Sequence, residues 1–169
     1  MAILGLSGQH EVYQVLPAVS TSASKARAYM RNNWGVFGQW EQRFDAKNTG
    51  IFGLRETWTT GAAKNYSNLS GSLQWLHKMN ENNNIYASVN QSFIMPTFAQ
   101  MFPSNSGNPA PGLKPQYGIN YEVGWKQNYN HHNWRLAIFH TDIEDNITAK
   151  WQDGTFTYHN EDFRNTGIE

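Results

Sequence analysis

Ile85-Tyr86-Ala87-Ser88-Val89-Asn90-Gln91-Ser92-Phe93-Ile94-Met95-Pro96-Thr97, followed after a Pro/Asn-rich stretch by Tyr117-Gly118-Ile119-Asn120-Tyr121-Glu122-Val123-Gly124-Trp125, decides how this chain folds. In the first run Ile85, Ala87, Val89 and Phe93 alternate with Tyr86, Ser88, Asn90 and Ser92. In the second, Tyr117, Ile119, Tyr121, Val123 and Trp125 share one face, with Gly118, Asn120, Glu122, Gly124 and Lys126 opposite. A period of two is the signature of a strand whose faces meet different surroundings. Pro96 fixes φ and removes a backbone donor, so the first strand ends there.

Working outward, the same alternation predicts an all-β antiparallel up-and-down meander of about eight strands: Ile3 to Tyr13, Asn33 to Phe44, Thr49 to Trp58, Tyr66 to Lys78, Asn84 to Phe93, Tyr117 to Gln127, Asn133 to Trp151 and Thr155 to Glu169. The connections alternate in length. They are long at Gln14 to Asn32 and Ile94 to Gln116, medium at Thr59 to Asn65, and short at Asp45 to Asn48, Met79 to Asn83 and Asn128 to His132. Short turns at one end and longer loops at the other are the habit of outer-membrane barrels. Gln152-Asp153-Gly154 is short, and its Asp-Gly suits a tight type I′ turn. By parity it belongs with the long loops, on a strand pair projecting beyond the bilayer.

Composition narrows the function. The 169 residues carry 13 basic and 13 acidic side chains, so charge gives no case for nucleic acid. There is no Cys, which removes disulfide frameworks and thiolate metal sites. No run of about 18 apolar residues exists, so no transmembrane helix is expected; membrane strands need only about 9–11 alternating residues. Met1 to Ser7 lacks the charged region and apolar core of a secretory signal, and the start reads as a boundary inside a longer chain. The polar faces are rich in Ser, Asn, Gln and Gly, as a wet lumen wall would be. Trp34, Phe44, Trp58, Phe93, Tyr117 and Trp134 fall near strand ends, where rings favour the membrane interface. Glu56 shares parity with Phe52, Leu54 and Trp58, so either that strand reverses its faces or Glu56 lies near an interface. The competing reading is a soluble aromatic-rich β-sandwich that binds carbohydrate through exposed Trp and Tyr.

Several motifs, in order, resemble TonB-dependent outer-membrane receptors over residues 35–169. Gly53-Leu54-Arg55-Glu56 is similar to that family's Gly-x-Arg element. Tyr86-Ala87-Ser88 with Phe93 and Pro96-Thr97 resembles the strand before its loop, and Asn108-Pro109, Leu113-Lys114-Pro115 and Tyr121-Glu122-Val123-Gly124 resemble the loop and the strand after it. Phe139 to Ile147 resembles a strand running into an Asp-Ile element, and Asn165-Thr166-Gly167-Ile168-Glu169 the closing motif, with Asn160 a second candidate for its Asn. Gln116 stands where the family usually has Glu, and Ala110-Pro111-Gly112 lengthens the gap after Asn-Pro. The resemblance implies part of a transmembrane β-barrel without its plug domain, in the cell outer membrane of a Gram-negative-type envelope. It implies active uptake of a scarce nutrient complex, most often a ferric siderophore, with TonB contact through an N-terminal region not in this sequence, and no cofactor.

Gly53, Arg55, Pro96, Asn108, Pro109, Leu113, Lys114, Pro115, Glu122, Gly124, Gly167 and Glu169 are expected to serve architecture, with Arg55 and Glu122 facing inward. Phe98, Met101, Phe102 and Trp151 could grip an aromatic or organometallic ligand. Alternatively, Thr97 to Phe102 is one helical turn packing its own loop. His131-His132 reads as a solvated turn rather than a metal site. No Gly-x-Ser-x-Gly, phosphate-binding loop or His-Glu-x-x-His occurs, so no enzyme is expected. Whether the chain by itself stays an open sheet or tightens into a small barrel is left open.

Overall fold

The computed structural model describes residues 1–15, 27–61, 64–103, 107–129, 131–152 and 154–169. Among them, eight long strands form one antiparallel sheet in chain order: β1 (Ala2–Val15), β2 (Arg27–Arg43), β3 (Asn48–Thr60), β4 (Tyr66–Lys78), β5 (Asn83–Ile94), β7 (Gln116–Tyr129), β8 (His132–Gln152) and β9 (Thr155–Ile168). Two further elements lie in the connection after β5. These are a single helical turn, α1 (Phe98–Met101), and the two-residue β6 (Gly107–Asn108), which pairs in parallel with Phe156 and Thr157 of β9. The sheet is open, since β1 and β9 are not neighbours.

The expected meander is therefore present, with two adjustments. β2 starts six residues earlier than Asn33, at Arg27, and pairs with β1 up to Val15↔Arg27. Most of the expected first long connection, including 16–26, lies outside the described residues, as does Asp153 of the last turn; Gly154 has φ +78°. β6 has no pattern in two residues for a periodicity argument to detect.

Register gives the two faces. Leu4, Gly38, Leu54 and Gly71 fall on one row across β1 to β4, and Trp40, Phe52, Leu73, Val89 and Tyr121 on the next. This face exposes its large apolar side chains: Val123, Leu136 and Ile138 are each more than half exposed. A soluble sandwich would cover them with a second layer, and none is present among the described residues. Trp34 faces Trp58 towards the long-loop end, while Trp40, Trp75, Trp125 and Trp134 lie towards the short turns. These six Trp side chains thus stand at two levels instead of one platform, with Trp151 beyond them near the end of β8. Glu56 keeps the parity of this face, between Val36 and Leu69 and two residues from Trp58, so its strand does not reverse and the charge lies near the upper aromatic level.

The opposite face is polar and knits neighbouring strands together. Arg55 donates to Ser7 Oγ at 2.8 Å and lies over the Phe37 ring at 5.6 Å. Asn33 donates to Glu11 Oε1 at 2.9 Å and accepts from Thr59 Oγ1 at 2.8 Å. No helix among the described residues is long and apolar enough to cross a membrane.

Candidate functional site: the loop cluster and the inner wall

The residues singled out from sequence gather in two places. The first is at the long-loop end. Pro96 ends β5, and Thr97 caps α1: its Oγ1 accepts from the Gln100 N–H at 3.2 Å, while Gln100 Oε1 accepts from the Thr97 N–H at 2.8 Å. This reciprocal box satisfies donors that a helix start leaves open. The turn buries Phe98 and Met101 with Leu113, against Tyr13, Tyr29, Phe102, Ala110, Ile147 and Tyr158. The loop is therefore folded across the concave side, touching β1 and β2 at one edge and β8 and β9 at the other.

Arg31 anchors it. Its guanidinium is buried, donates to Glu11 Oε2 at 2.7 Å and to the Pro96 carbonyl at 2.5 Å, and lies 4.9 Å from the centre of the Phe98 ring. A planar guanidinium can serve carboxylate, carbonyl and ring face together, which an ammonium cannot. Sequence reasoning missed this residue. The available signal was that Glu11 and Arg31 are both charged at inward parity on adjacent strands, but their pairing needs the β1–β2 register.

At the other edge the Leu113-Lys114-Pro115 element is clipped to β8 and β9. Asn160 accepts from the Lys114 N–H at 2.9 Å and donates to the Lys114 carbonyl at 3.0 Å and the Asp145 carbonyl at 2.6 Å. Lys114 Nζ also lies 3.2 Å from Asp145. Asp145 occupies the ladder irregularity between Ile143 and Asn146 with φ +55°, a conformation Asp tolerates better than most side chains. Pro96 and Pro115 are fully buried. Asn108 is the second residue of β6, paired with Thr157 of β9, and Pro109 follows it.

The four candidate ligand residues separate. Phe98 and Met101 are interior to the loop cluster, Phe102 is half-buried and stacks on Tyr29 with ring centres 3.9 Å apart, and Trp151 is 65% exposed, stacked on Phe156 at 6.1 Å. Of the four, Trp151 is the one exposed, and Phe102 keeps part of its ring accessible.

The second gathering is on the inner wall towards the short turns. Tyr86 donates its hydroxyl proton to Glu122; Arg135 donates to Glu122 at 2.7 Å and to the Tyr86 oxygen at 3.0 Å, and lies 3.4 Å from Glu169. Lys126 Nζ sits 4.7 Å from the Tyr86 ring centre. Gly124 lies under that ring, where a Cβ would stand 2.5 Å from it, and Gly167 lies under Phe139 at the same spacing. Glycine is needed at both positions because an aromatic ring occupies the space of a side chain. The ring of Tyr86 is held by Glu122 and Arg135, so motif residues Glu122, Gly124, Gly167 and Glu169 act on one patch spanning β5 to β9. Gly53 likewise leaves room for the Ser72 hydroxyl.

Neither gathering presents a nucleophile beside a base. Among the described residues no group of three or more His, Cys, Asp or Glu could hold a metal ion. His131 and His132 are exposed at their turn. The arrangement can fold a loop, line a lumen and present aromatic surface.

Residues 8–169 match the family profile described as TonB dependent receptor-like, beta-barrel. The chain belongs to this family, and its place is the outer membrane. No curated protein matches it. Among solved structures, the copper transporter OprC superposes with a TM-score of 0.78 at 16% identity, covering 99% of this chain and 30% of that one. The siderophore receptor PirA from Acinetobacter baumannii gives 0.77 at 16% identity, covering 99% and 31%. The pyoverdine receptor FpvA from Pseudomonas aeruginosa PAO1, bound to pyoverdine, gives 0.63 at 20% identity, covering 88% and 23%. The chain thus spans about a third of the length of OprC and of PirA.

Proposed function

We propose that this chain forms part of the wall and extracellular cap of an active uptake receptor for a scarce nutrient complex, a ferric siderophore or similar chelate. The observation that carries the reading is the loop cluster, which folds over the concave side and leaves Trp151 and Phe102 at its surface. Flat aromatic rings suit a bulky chelate whose periphery is organic, since they supply large rigid contact area at low entropic cost. The solved relatives include receptors named for copper and for siderophores at comparable likeness, so the choice of chelate rests on the loop aromatics alone. Release would need a plug and a TonB contact supplied by an N-terminal region outside this sequence. The inner-wall patch of Glu122, Arg135 and Glu169 offers charged groups to such a plug.

The test is uptake of radiolabelled iron from a panel of purified ferric siderophores by cells expressing the full receptor, with and without TonB. One siderophore should be taken up in a TonB-dependent way, and Trp151→Ala should weaken its binding by roughly 5- to 30-fold, the loss of about 1–2 kcal/mol of ring contact. Binding of every tested chelate unaffected by Trp151→Ala, or uptake independent of TonB, would refute it.

A further inference from the structure

Arg55 is an inward arginine without an acid. Arg31 and Arg135, on the same face, each hold a carboxylate at 2.7 Å, those of Glu11 and Glu122. Arg55 meets hydroxyls instead: its Nε donates to Thr57 Oγ1 at 3.2 Å and its Nη2 to Ser7 Oγ at 2.8 Å. Those two bonds occupy one edge of the guanidinium. Nη1 has no partner among the described residues, so the fork that it forms with Nη2 stays open, and a fork of this kind holds a carboxylate by two parallel hydrogen bonds.

The side chain lies flat against the wall. It crosses from β3 over Gly35 of β2, where a Cβ would stand 2.6 Å from Nη2, and its Cζ is 5.6 Å from the centre of the Phe37 ring, which in turn lies over Gly5 of β1. An exposed guanidinium free to swing loses rotamer entropy when it takes an anion. Here one ring and two hydroxyls already restrict it, so less is lost on binding.

Arg55 lines a hollow of about 390 Å³. Register brings three rows of inward positions together there: Thr57 opposite Gly35, Arg55 between Phe37 and Ser70, and Gly53 between Gln39 and Ser72. The inward lining is thus hydroxyl, carboxamide and one ring, and Arg55 is the one charged residue among the described residues that line it. A single positive charge matches a carboxylate better than a dianionic phosphate ester, and the two donors of the fork match its two oxygens. We infer that this hollow is an inner-wall subsite for one carboxylate, held by the open Arg55 fork beside the Ser70 and Ser72 hydroxyls. The carboxylate arrives either on a solute in the lumen or on an acidic side chain from another part of the full receptor. The subsite stands on the inner wall alone, so its failure would leave the reading of the loop cluster untouched.

Arginine reactivity in the full, detergent-folded receptor is the test. Phenylglyoxal modifies accessible guanidinium groups, and mass spectrometry of the digest compares Arg55 with Arg43, which is also exposed. Metal-free citrate is the solute and glycerol its uncharged control. With a solute carboxylate, Arg55 reacts as fast as Arg43, and about 10 mM citrate slows it roughly fivefold, as for a Kd of about 2.5 mM, while glycerol does nothing and Arg43 keeps its rate. With a carboxylate of the receptor itself, Arg55 is protected before any citrate is added. Arg55→Lys treated with a water-soluble carbodiimide then yields an amide cross-link from position 55 to an Asp or Glu, found in the digest. Should that variant fail to fold, Ser70→Lys presents an amine to the same hollow. Arg55 reacting like Arg43 with and without citrate, or protected with no cross-link in a folded variant, would overturn the inference.

Discussion

Arg31 concentrates at one residue what holds the loop cluster in place. Its guanidinium is buried, its carboxylate partner Glu11 is half-buried, and it ties the end of β5 to β1 and β2. Removing the cation of such a pair costs more than the pair is worth, because the partly desolvated carboxylate is left without compensation. Arg31→Ala is expected to destabilise the loop cluster by about 3 kcal/mol, read as faster proteolysis in the connection between β5 and β7. Arg31→Lys is expected to restore little, since an ammonium cannot also serve the Pro96 carbonyl. At the opposite end, the Asp45 carboxylate accepts from the Asn48 side chain at 2.7 Å and from the Lys47 and Asn48 N–H groups, which holds its pKa below the ordinary 3.8. A depressed carboxylate pKa stabilises the fold above the unfolded value, and that contribution disappears as pH falls through the folded value. Carbon-detected NMR titration should therefore place the Asp45 midpoint below those of unpartnered carboxylates, and Asn48→Ala should move it upward.

The strands themselves were legible because their period is two and their faces meet different surroundings. Tyr117 to Trp125 could be assigned a greasy and a polar side from sequence, and the register places both as expected. The six residues by which β2 extends before Asn33 and the pairing of β6 were not legible. Residues 27–32 carry mixed polarity, and two residues have no period. The site was legible in part. The motif residues could be named, but their convergence could not, because Tyr86, Glu122 and Arg135 lie on three strands and meet only through register. The glycine under the Tyr86 ring gives an element-level test. Gly124→Ala is expected to cost about 1–3 kcal/mol by overpacking, because the ring above is pinned by two hydrogen bonds and cannot swing aside. Urea unfolding in lipid vesicles would read the loss. Combining Gly124→Ala with Tyr86→Leu should recover part of it, since the leucine leaves the ring's space free.

The described residues form one sheet whose outer side has no protein cover among them, and the family places the chain in the outer membrane. Charge should then cost differently on the two faces. Leu54→Arg, on the outer row, is expected to lose about 2–4 kcal/mol in a bilayer if it lies near the midplane, whereas Ser72→Arg, on the lumen side, should be tolerated with less than about 1 kcal/mol. The most direct measurement uses the absence of cysteine. Single cysteines at Val123, Leu136 and Ile138, and at Ser88, Asn120 and Thr141, are spin-labelled in the membrane-embedded receptor. Each is then relaxed with oxygen, which partitions into lipid, and with a water-soluble nickel chelate. The account predicts high oxygen and low nickel accessibility at the first three sites and the reverse at the other three. Low accessibility to both agents at Val123, Leu136 and Ile138 would mean a dry protein interior and would contradict it.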